Sequence, residues 1–153
     1  MSSPSAADEA VIDRTRDAMS ALRTAEHALR VAIGELAESG ASEATGHRRI
    51  GRFLEELWRV DPAHGKRLVE HAEHVLAQVT LTGQAVAPRL PHAAAACADG
   101  AIGEEHVRVL VRALSRVERI PRIAPATVAG AEELLAEAAR TLSPSGLARV
   151  VDG

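Results

Sequence analysis

The stretch AADEAVIDRTRDAMSALRTAEHALRVAIGELAES, residues 6–39, decides the fold, because it contains no proline and a single glycine, Gly34. Its apolar residues recur at alternating steps of three and four, which places them on one stripe of a helix. This stripe, called the seam below, consists of Val11, Thr15, Ala18, Leu22, Ala25, Leu29, Ala32 and Leu36. The pattern predicts one helix over about 6–39, roughly 50 Å long, which Gly40 ends in the left-handed conformation.

Alanine alternates with leucine along the seam, and small side chains allow a second helix to approach closely. The partner helix is either an antiparallel neighbour in the same chain, which is the more common arrangement, or the same helix of a second copy in a homodimer. Both alternatives stay open at this point.

The region after residue 46 predicts two short helices joined by a tight turn. A stripe from Ile50 to Trp58 carries both aromatic residues, Phe53 and Trp58, and therefore places both in the core. Asp61 and Pro62 suit the N-cap and the first position of the next helix, whose stripe continues to Val79. The two helices predict a helix-turn-helix-like pair over about 47–79. The connector at 80–90 lacks any periodicity.

Four more helices are predicted at about 91–98, 103–119, 125–142 and 143–151. Ile102 and Val107 have the spacing of a hydrophobic staple around a start at Gly103, and Ser143 is a good N-cap. The last helix is too short to be stable without neighbours. We therefore expect one all-α domain over residues 1–153 that is incomplete at its C-terminus.

Composition excludes several classes of protein. The chain has 31 Ala and 17 Arg, but one Lys, one Cys (Cys97), no Tyr and no Asn, and its net charge is -3. A lone cysteine excludes an intrachain disulfide framework and any cysteine-paired zinc site. No apolar run is long enough to serve as a membrane span or a signal sequence, so we expect a cytoplasmic protein without a membrane partner.

The order of motifs from about residue 40 to 151 points to a family. The motifs are the helix-turn-helix-like segment with its Val60-Asp61-Pro62 turn, Leu81-Thr82-Gly83, Pro88-Arg89-Leu90-Pro91, Asp99-Gly100-Ala101-Ile102, Glu105-His106-Val107-Arg108 and Leu142-Ser143-Pro144. In this order they resemble the actinobacterial 13E12-repeat proteins. The resemblance implies an all-helical domain, domain of unknown function 222, which in many members precedes an HNH endonuclease domain.

The nuclease itself is not carried over by this resemblance. An HNH site needs metal-binding His and further His or Asn residues on a ββα unit, whereas this chain has no Asn, one Cys and no strand pattern. His64-Gly65-Lys66 also departs from the family, which usually carries alanine and more arginine there. The resemblance therefore implies a non-catalytic domain, and the abundance of Ala and Arg fits a high-GC, actinobacterial genome.

The remaining polar residues predict no catalytic residue, metal site or cofactor site. His71 and His74 are three residues apart, which is not the spacing of a zinc-protease helix, so a solvated face with Glu70 and Glu73 is favoured. His106 is expected to form structural hydrogen bonds. Cys97 is expected to be a small buried apolar residue.

Arginine is the last clue, because four arginines lie on one flank of a single predicted helix: Arg108, Arg112, Arg116 and Arg119. Like charges four residues apart are unfavourable unless something compensates them. Compensation comes either from the first helix, which is acidic, or from phosphates of duplex DNA. Glu55 with Arg59 and Glu104 with Arg108 are also expected to pair within their helices. The DNA alternative adds the basic residues of the helix-turn-helix-like pair: Arg48, Arg49, Arg52, Lys66 and Arg67.

The sequence therefore favours two functions. The first is a DNA-associating or targeting module of an HNH-nuclease-type protein. The alternative is a helical protein-interaction or homodimerisation module that acts through the long N-terminal helix.

Overall fold

A computed structural model describes residues 3–153, and helices make up most of these residues. The elements are α1 (Ala6–Ser39), α2 (Ala41–Ala44), α3 (Ile50–Trp58), α4 (Pro62–Val75), β1 (Gln78–Val79), β2 (Ala85–Val86), α5 (Pro91–Ala98), α6 (Glu104–Glu118), α7 (Pro125–Ala139) and α8 (Pro144–Asp152). The predicted all-α class is confirmed, and so is the long first helix at the predicted bounds.

Helices α1, α4 and α8 each start at a side chain that accepts a hydrogen bond from a free backbone amide. Ser5 caps α1 in a reciprocal arrangement with Asp8. Asp61 accepts a hydrogen bond of 2.9 Å from the Ala63 amide at the start of α4. Ser143 accepts one of 3.1 Å from the Gly146 amide at the start of α8. The two predicted caps, Asp61 and Ser143, are therefore confirmed.

The core consists of two adjoining clusters of buried side chains. The first joins α1, α3 and α4 through Ile33, Phe53, Leu54, Leu68 and Ala72. The second is built by α5 to α8, and its residues with no exposed surface include Ala96, Ile102, Leu110 and Leu147. Helix α1 lies across α4 and α5 and so connects the two clusters.

Two glycines allow α1 to approach the rest of the domain. A Cβ atom on Gly34 would lie 2.7 Å from Leu76 Cδ1. A Cβ atom on Gly100 would lie 2.5 Å from the Ser20 carbonyl oxygen, and Gly100 also has a φ of +72°. The turn between α5 and α6 therefore fits against α1 only because Gly100 has no side chain.

Three expectations about this part of the chain are wrong. Trp58 is 50% exposed, because α3 ends directly after it at Arg59 and its last turn lies at the edge of the domain. Helix α4 ends at Val75, and Val79 instead lies in a short antiparallel hairpin in which Gln78 pairs with Val86. The connector thus contains a strand that its sequence does not predict. Helix α7 ends at Ala139, three residues before the expected Leu142.

Candidate functional site

The N-terminal half of α1 projects from the domain. Every described residue up to Met19 is exposed, and the first contacts with the rest of the chain are made from Ser20 onward. Large apolar side chains are among the exposed ones, with Val11 at 52%, Met19 at 47% and Leu22 at 54%. A helix surface of this kind is unusual for an isolated domain and marks a candidate interaction site.

The seam is uncovered along most of its length. Of its eight residues, only Leu29 and Leu36 are partly buried, and the other six are exposed. Leu29 and Leu36 pack against the cluster of α3 and α4. The other contacts of α1 lie on the neighbouring face, where Arg30 and Ile33 are buried and Arg23 donates a hydrogen bond of 2.8 Å to the Ala101 carbonyl. At about 100° per residue, these three residues lie roughly 50–130° around the helix from the centre of the seam, and Ile33 is the nearest to it. The intrachain partner is therefore present only at the C-terminal end of the seam, at Leu29 and Leu36, whereas the seam residues from Val11 to Ala25 are exposed.

The predicted basic residues do not form one surface. Four of them, Arg48, Arg49, Arg52 and Lys66, line a cleft of about 510 Å³ between α2, α3 and α4. Three carboxylates line the same cleft: Glu43, Glu55 and Glu70. Two of the four are also paired, since Arg52 lies 3.5 Å from Glu55 and Lys66 lies 3.6 Å from Glu70. This cleft is mixed in charge, so its cations are partly compensated within the chain.

Arg67 points to a different neighbour. Its Nε atom lies 3.2 Å from Glu104 Oε1 on α6, so this ion pair joins α4 to α6. Glu104 was expected to pair with Arg108 and Glu55 with Arg59, and both expectations are wrong. Arg59 instead adopts a left-handed conformation at the end of α3. Arg67 therefore belongs with the α6 surface rather than with the helix-turn-helix-like pair.

The arginines of α6 form an exposed cationic flank. Arg108, Arg112 and Arg119 have no carboxylate within 4.0 Å among residues 3–153, while Arg116 pairs with Asp152 of α8 at 2.5 Å. The expected compensation by acidic residues of the first helix is not what the structure shows, because Asp152 supplies it. Three uncompensated charges therefore remain on this flank.

The exposed face of α4 is acidic. Lys66, Glu70 and Glu73 are exposed, whereas Leu68 and Ala72 are buried. A recognition helix must approach phosphates and base edges closely, and two glutamates on its outer face oppose that approach. The exposed face of α4 therefore lacks the positive charge that a recognition helix usually has.

His71 is buried against α6, which corrects the expected solvated face. It is 6% exposed, and burial lowers its pKa from 6.5 to about 4, although the nearby Glu104 carboxylate acts in the opposite direction. Its Nδ1 atom lies 3.8 Å from Glu104 Oε1, too far for a hydrogen bond. Burial also lowers the pKa of the half-buried His74. Both rings are therefore structural and favoured in the neutral form.

Arg30 is the most unusual buried residue. It is 1% exposed, and none of its three side-chain nitrogen atoms has a hydrogen-bond partner among residues 3–153. Burial lowers the pKa of His27, and the charge of Arg30 lowers it further. A buried charge without a partner is costly. Nothing in the sequence marks this burial, because a single arginine off the seam is expected to point to solvent.

A histidine and a buried carboxylate form a second feature that was missed. Glu132 of α7 is 3% exposed, and its Oε2 atom lies 2.5 Å from Nδ1 of His92. Its other oxygen accepts a hydrogen bond of 2.9 Å from the Ala93 amide at the start of α5. The hydrogen bond to Glu132 raises the pKa of His92. The position of Glu132, four residues after Val128 on the apolar stripe of α7, was the available signal.

Both residues line a cleft of about 530 Å³ between α5, α6 and α7, whose walls include Leu114, Ile123 and Val128. Arg89 and Glu118 close one side of it as an ion pair of 2.7 Å. The four charged groups therefore compensate one another in pairs. This arrangement fixes α5 to α7.

The remaining predicted structural roles are confirmed. His106 is buried, and its Nε2–H donates a hydrogen bond of 2.9 Å to the Leu142 carbonyl. Cys97 is fully buried, and burial raises its pKa to about 11.

Among the described residues, no group of three or more His, Cys, Asp or Glu side chains could hold a metal ion. No helix between residues 3 and 153 is long and apolar enough to cross a membrane.

Comparison with known proteins gives one match. The family model described as domain of unknown function (DUF222) matches residues 9–153. No curated protein and no solved structure matches the chain significantly. The family match includes nearly all of α1 with its exposed seam.

Proposed function

The chain belongs to the DUF222 family, domains of unknown function, and from this premise we propose that it is a helical self-association module in which the seam of α1 is the contact surface. The observation that carries the proposal is the exposure of most of the seam, on a helix that other residues hold on its own domain. One face holds α1 on its own domain through residues such as Ile33, and the other presents Val11, Ala18 and Leu22 to solvent.

A second copy of the chain is the partner that best fits this surface. The seam has the alternating three- and four-residue spacing by which two helices pair along their length. The domain contacts the seam only at Leu29 and Leu36, so the seam residues from Val11 to Ala25 are open to an approaching helix. The exposed apolar side chains would lose their contact with water on pairing, which is the main source of association free energy.

Sedimentation velocity of the full chain between about 1 and 100 μM tests the proposal. The seam offers fewer residues than the 20–30 on each side of a standard interface, so we expect a dissociation constant on the order of micromolar. Leu22→Asp should yield a monomer. Leu57→Asp on α3 is the matched control, because Leu57 is also 54% exposed but lies off the seam. A wild-type protein that stays monomeric at the highest concentration refutes the proposal.

Contact with duplex DNA is the second candidate, favoured by the three uncompensated arginines of α6, Arg108, Arg112 and Arg119. Cations of this kind bind phosphates without reading sequence. In the family that the sequence resembles, the domain precedes an HNH nuclease in many members, and in that setting the flank would hold the protein on its substrate. Non-enzymatic action of the domain itself is part of the same proposal.

A gel shift with duplex DNA at about 50 mM salt tests this candidate, because non-specific affinity is strongest at low salt. The double variant Arg112→Glu/Arg119→Glu should abolish the shift. A double variant with the same charge change elsewhere, Arg16→Glu/Arg59→Glu, should retain most of it. If both double variants lose the gel shift equally, the net charge of the protein alone explains DNA binding, and a role for the α6 flank is contradicted.

A further inference from the structure

We infer that two copies pair antiparallel through α1 in one specific register, an inference that rests on the proposed self-association. In this register four layers repeat on either side of a twofold axis near residues 23 and 24. Each layer sets one seam residue on one residue of the second copy: Val11 on Leu36, Thr15 on Ala32, Ala18 on Leu29, and Leu22 on Ala25.

The sizes of the side chains favour this register. Three of the layers contain one small residue, Ala18, Ala25 or Ala32, and no layer contains two alanines. The parallel in-register pair would instead stack Ala18 on Ala18 and Leu22 on Leu22 of the second copy. The leucine layers set the distance between the two helices. At that distance a neighbouring layer of two alanines leaves a gap. Close packing therefore requires the antiparallel order.

Charge complementarity supports the same register. Arg14 and Glu35 each precede a seam residue on the same side of α1, and both are exposed. Neither has an ion-pair partner among residues 3–153. In the antiparallel register, Arg14 of one copy faces Glu35 of the second copy, and symmetry forms this pair twice. Ala21 faces Ala28 between the two pairs, which permits a close approach of the backbones.

The parallel pair offers no such match. It would place Arg14 beside Met19 of the second copy and Ala21 beside Glu26, so the exposed charges would have no opposite partner. The antiparallel pair also places the projecting half of each α1 along the docked half of the other.

Charge reversal tests the ion pairs. Arg14→Glu and Glu35→Arg should each weaken the dimer about five- to tenfold at low salt, because two exposed pairs become repulsive. The double variant Arg14→Glu/Glu35→Arg should return to within about twofold of the wild type. Arg16→Glu, the same charge change on the side of α1 away from the seam, is the matched control and should leave the dissociation constant nearly unchanged.

Cross-linking tests the direction of pairing. Val11 and Leu36 face each other between copies, but two Val11 residues lie about 37 Å apart. With a short bismaleimide, an equimolar mixture of Val11→Cys and Leu36→Cys proteins should cross-link, whereas neither protein should cross-link alone. The wild type controls for Cys97, which is buried.

The outcomes separate the two proposals. A monomeric wild type in sedimentation refutes self-association as a whole. A dimer in which Val11→Cys cross-links alone is parallel and refutes only the register. A dimer that neither cross-links in the mixture nor responds to Arg14→Glu also refutes the register, while self-association stands.

Discussion

Protonation of His71 should destabilise the domain in mild acid. The folded protein holds the pKa of this ring at about 4, whereas the ordinary value is 6.5. The unfolded chain therefore binds the proton more readily than the folded one. The contribution of His71 to the free energy of unfolding is fully present above pH 6.5 and is lost as the pH drops from 6.5 to 4. A difference of this size amounts to at most about 3 kcal/mol. Below pH 4 the loss from this residue is complete.

Comparison with His71→Leu isolates this contribution, since the ring nitrogen facing Glu104 makes no hydrogen bond that leucine would remove. Urea unfolding followed by circular dichroism between pH 7.5 and 4 gives the free energy of unfolding of both proteins. The variant should gain up to about 3 kcal/mol relative to the wild type as the pH falls.

His92→Gln provides a control of opposite sign. Its hydrogen bond to Glu132 raises the pKa of His92, so its contribution is present at low pH and is lost as the pH rises through that raised pKa. The stability of His92→Gln should therefore decline relative to the wild type in acid. A difference between the wild type and His71→Leu that stays constant from pH 7.5 to 4 would refute the assigned state of His71.

Three further substitutions test the interior, with urea unfolding as the common measurement. Arg30→Met removes a buried charge without a partner and should leave the free energy of unfolding unchanged or raise it by up to about 3 kcal/mol; a clear loss would mean that the guanidinium has a partner in solution. Glu132→Ala should cost about 2–3 kcal/mol, because the amides at the start of α5 lose their acceptor; Glu132→Gln should cost less, and equal losses would contradict the role of the carboxylate charge. Gly100→Ala should cost more than about 2 kcal/mol, whereas Gly130→Ala in the open interior of α7 should gain about 0.5–1 kcal/mol; equal effects at both glycines would refute the close approach to Ser20.

Local signals predicted several helix starts well, because the residues that cap these helices are adjacent in the sequence. Ser143 and Pro144 determine the start of α8 without reference to the rest of the chain. The partner of the seam could not be predicted in this way. The spacing of the seam correctly identifies a packing surface, but a pattern in one helix does not say whether its partner is in the same chain. That answer depends on which face of α1 meets α4 and α5, which is a property of the whole fold.

Individual side-chain partners were predicted poorly for the same reason. Glu104 has Arg108 four residues away, yet it pairs with Arg67 from another helix. An ion pair within an exposed helix is worth only about 0.3–0.5 kcal/mol, so a neighbouring element easily replaces it. The prediction that Trp58 lies in the core was wrong for a different reason. Trp58 lies on the apolar stripe of α3 as predicted, but α3 ends before the core covers this side chain.

The projecting half of α1 links the order of this helix to protein concentration. Residues 6–19 are held helical in a single copy only by local interactions, such as the Ser5–Asp8 cap and the ion pair between Asp13 and Arg16. The segment continues from the packed half of α1 and so needs no new nucleus, but it gains no packing free energy of its own. In the proposed dimer, each such segment gains a neighbouring helix along its whole length. Completion of the fold and assembly of the dimer would then be one equilibrium, and a dilute solution would contain a shorter helix than a concentrated one.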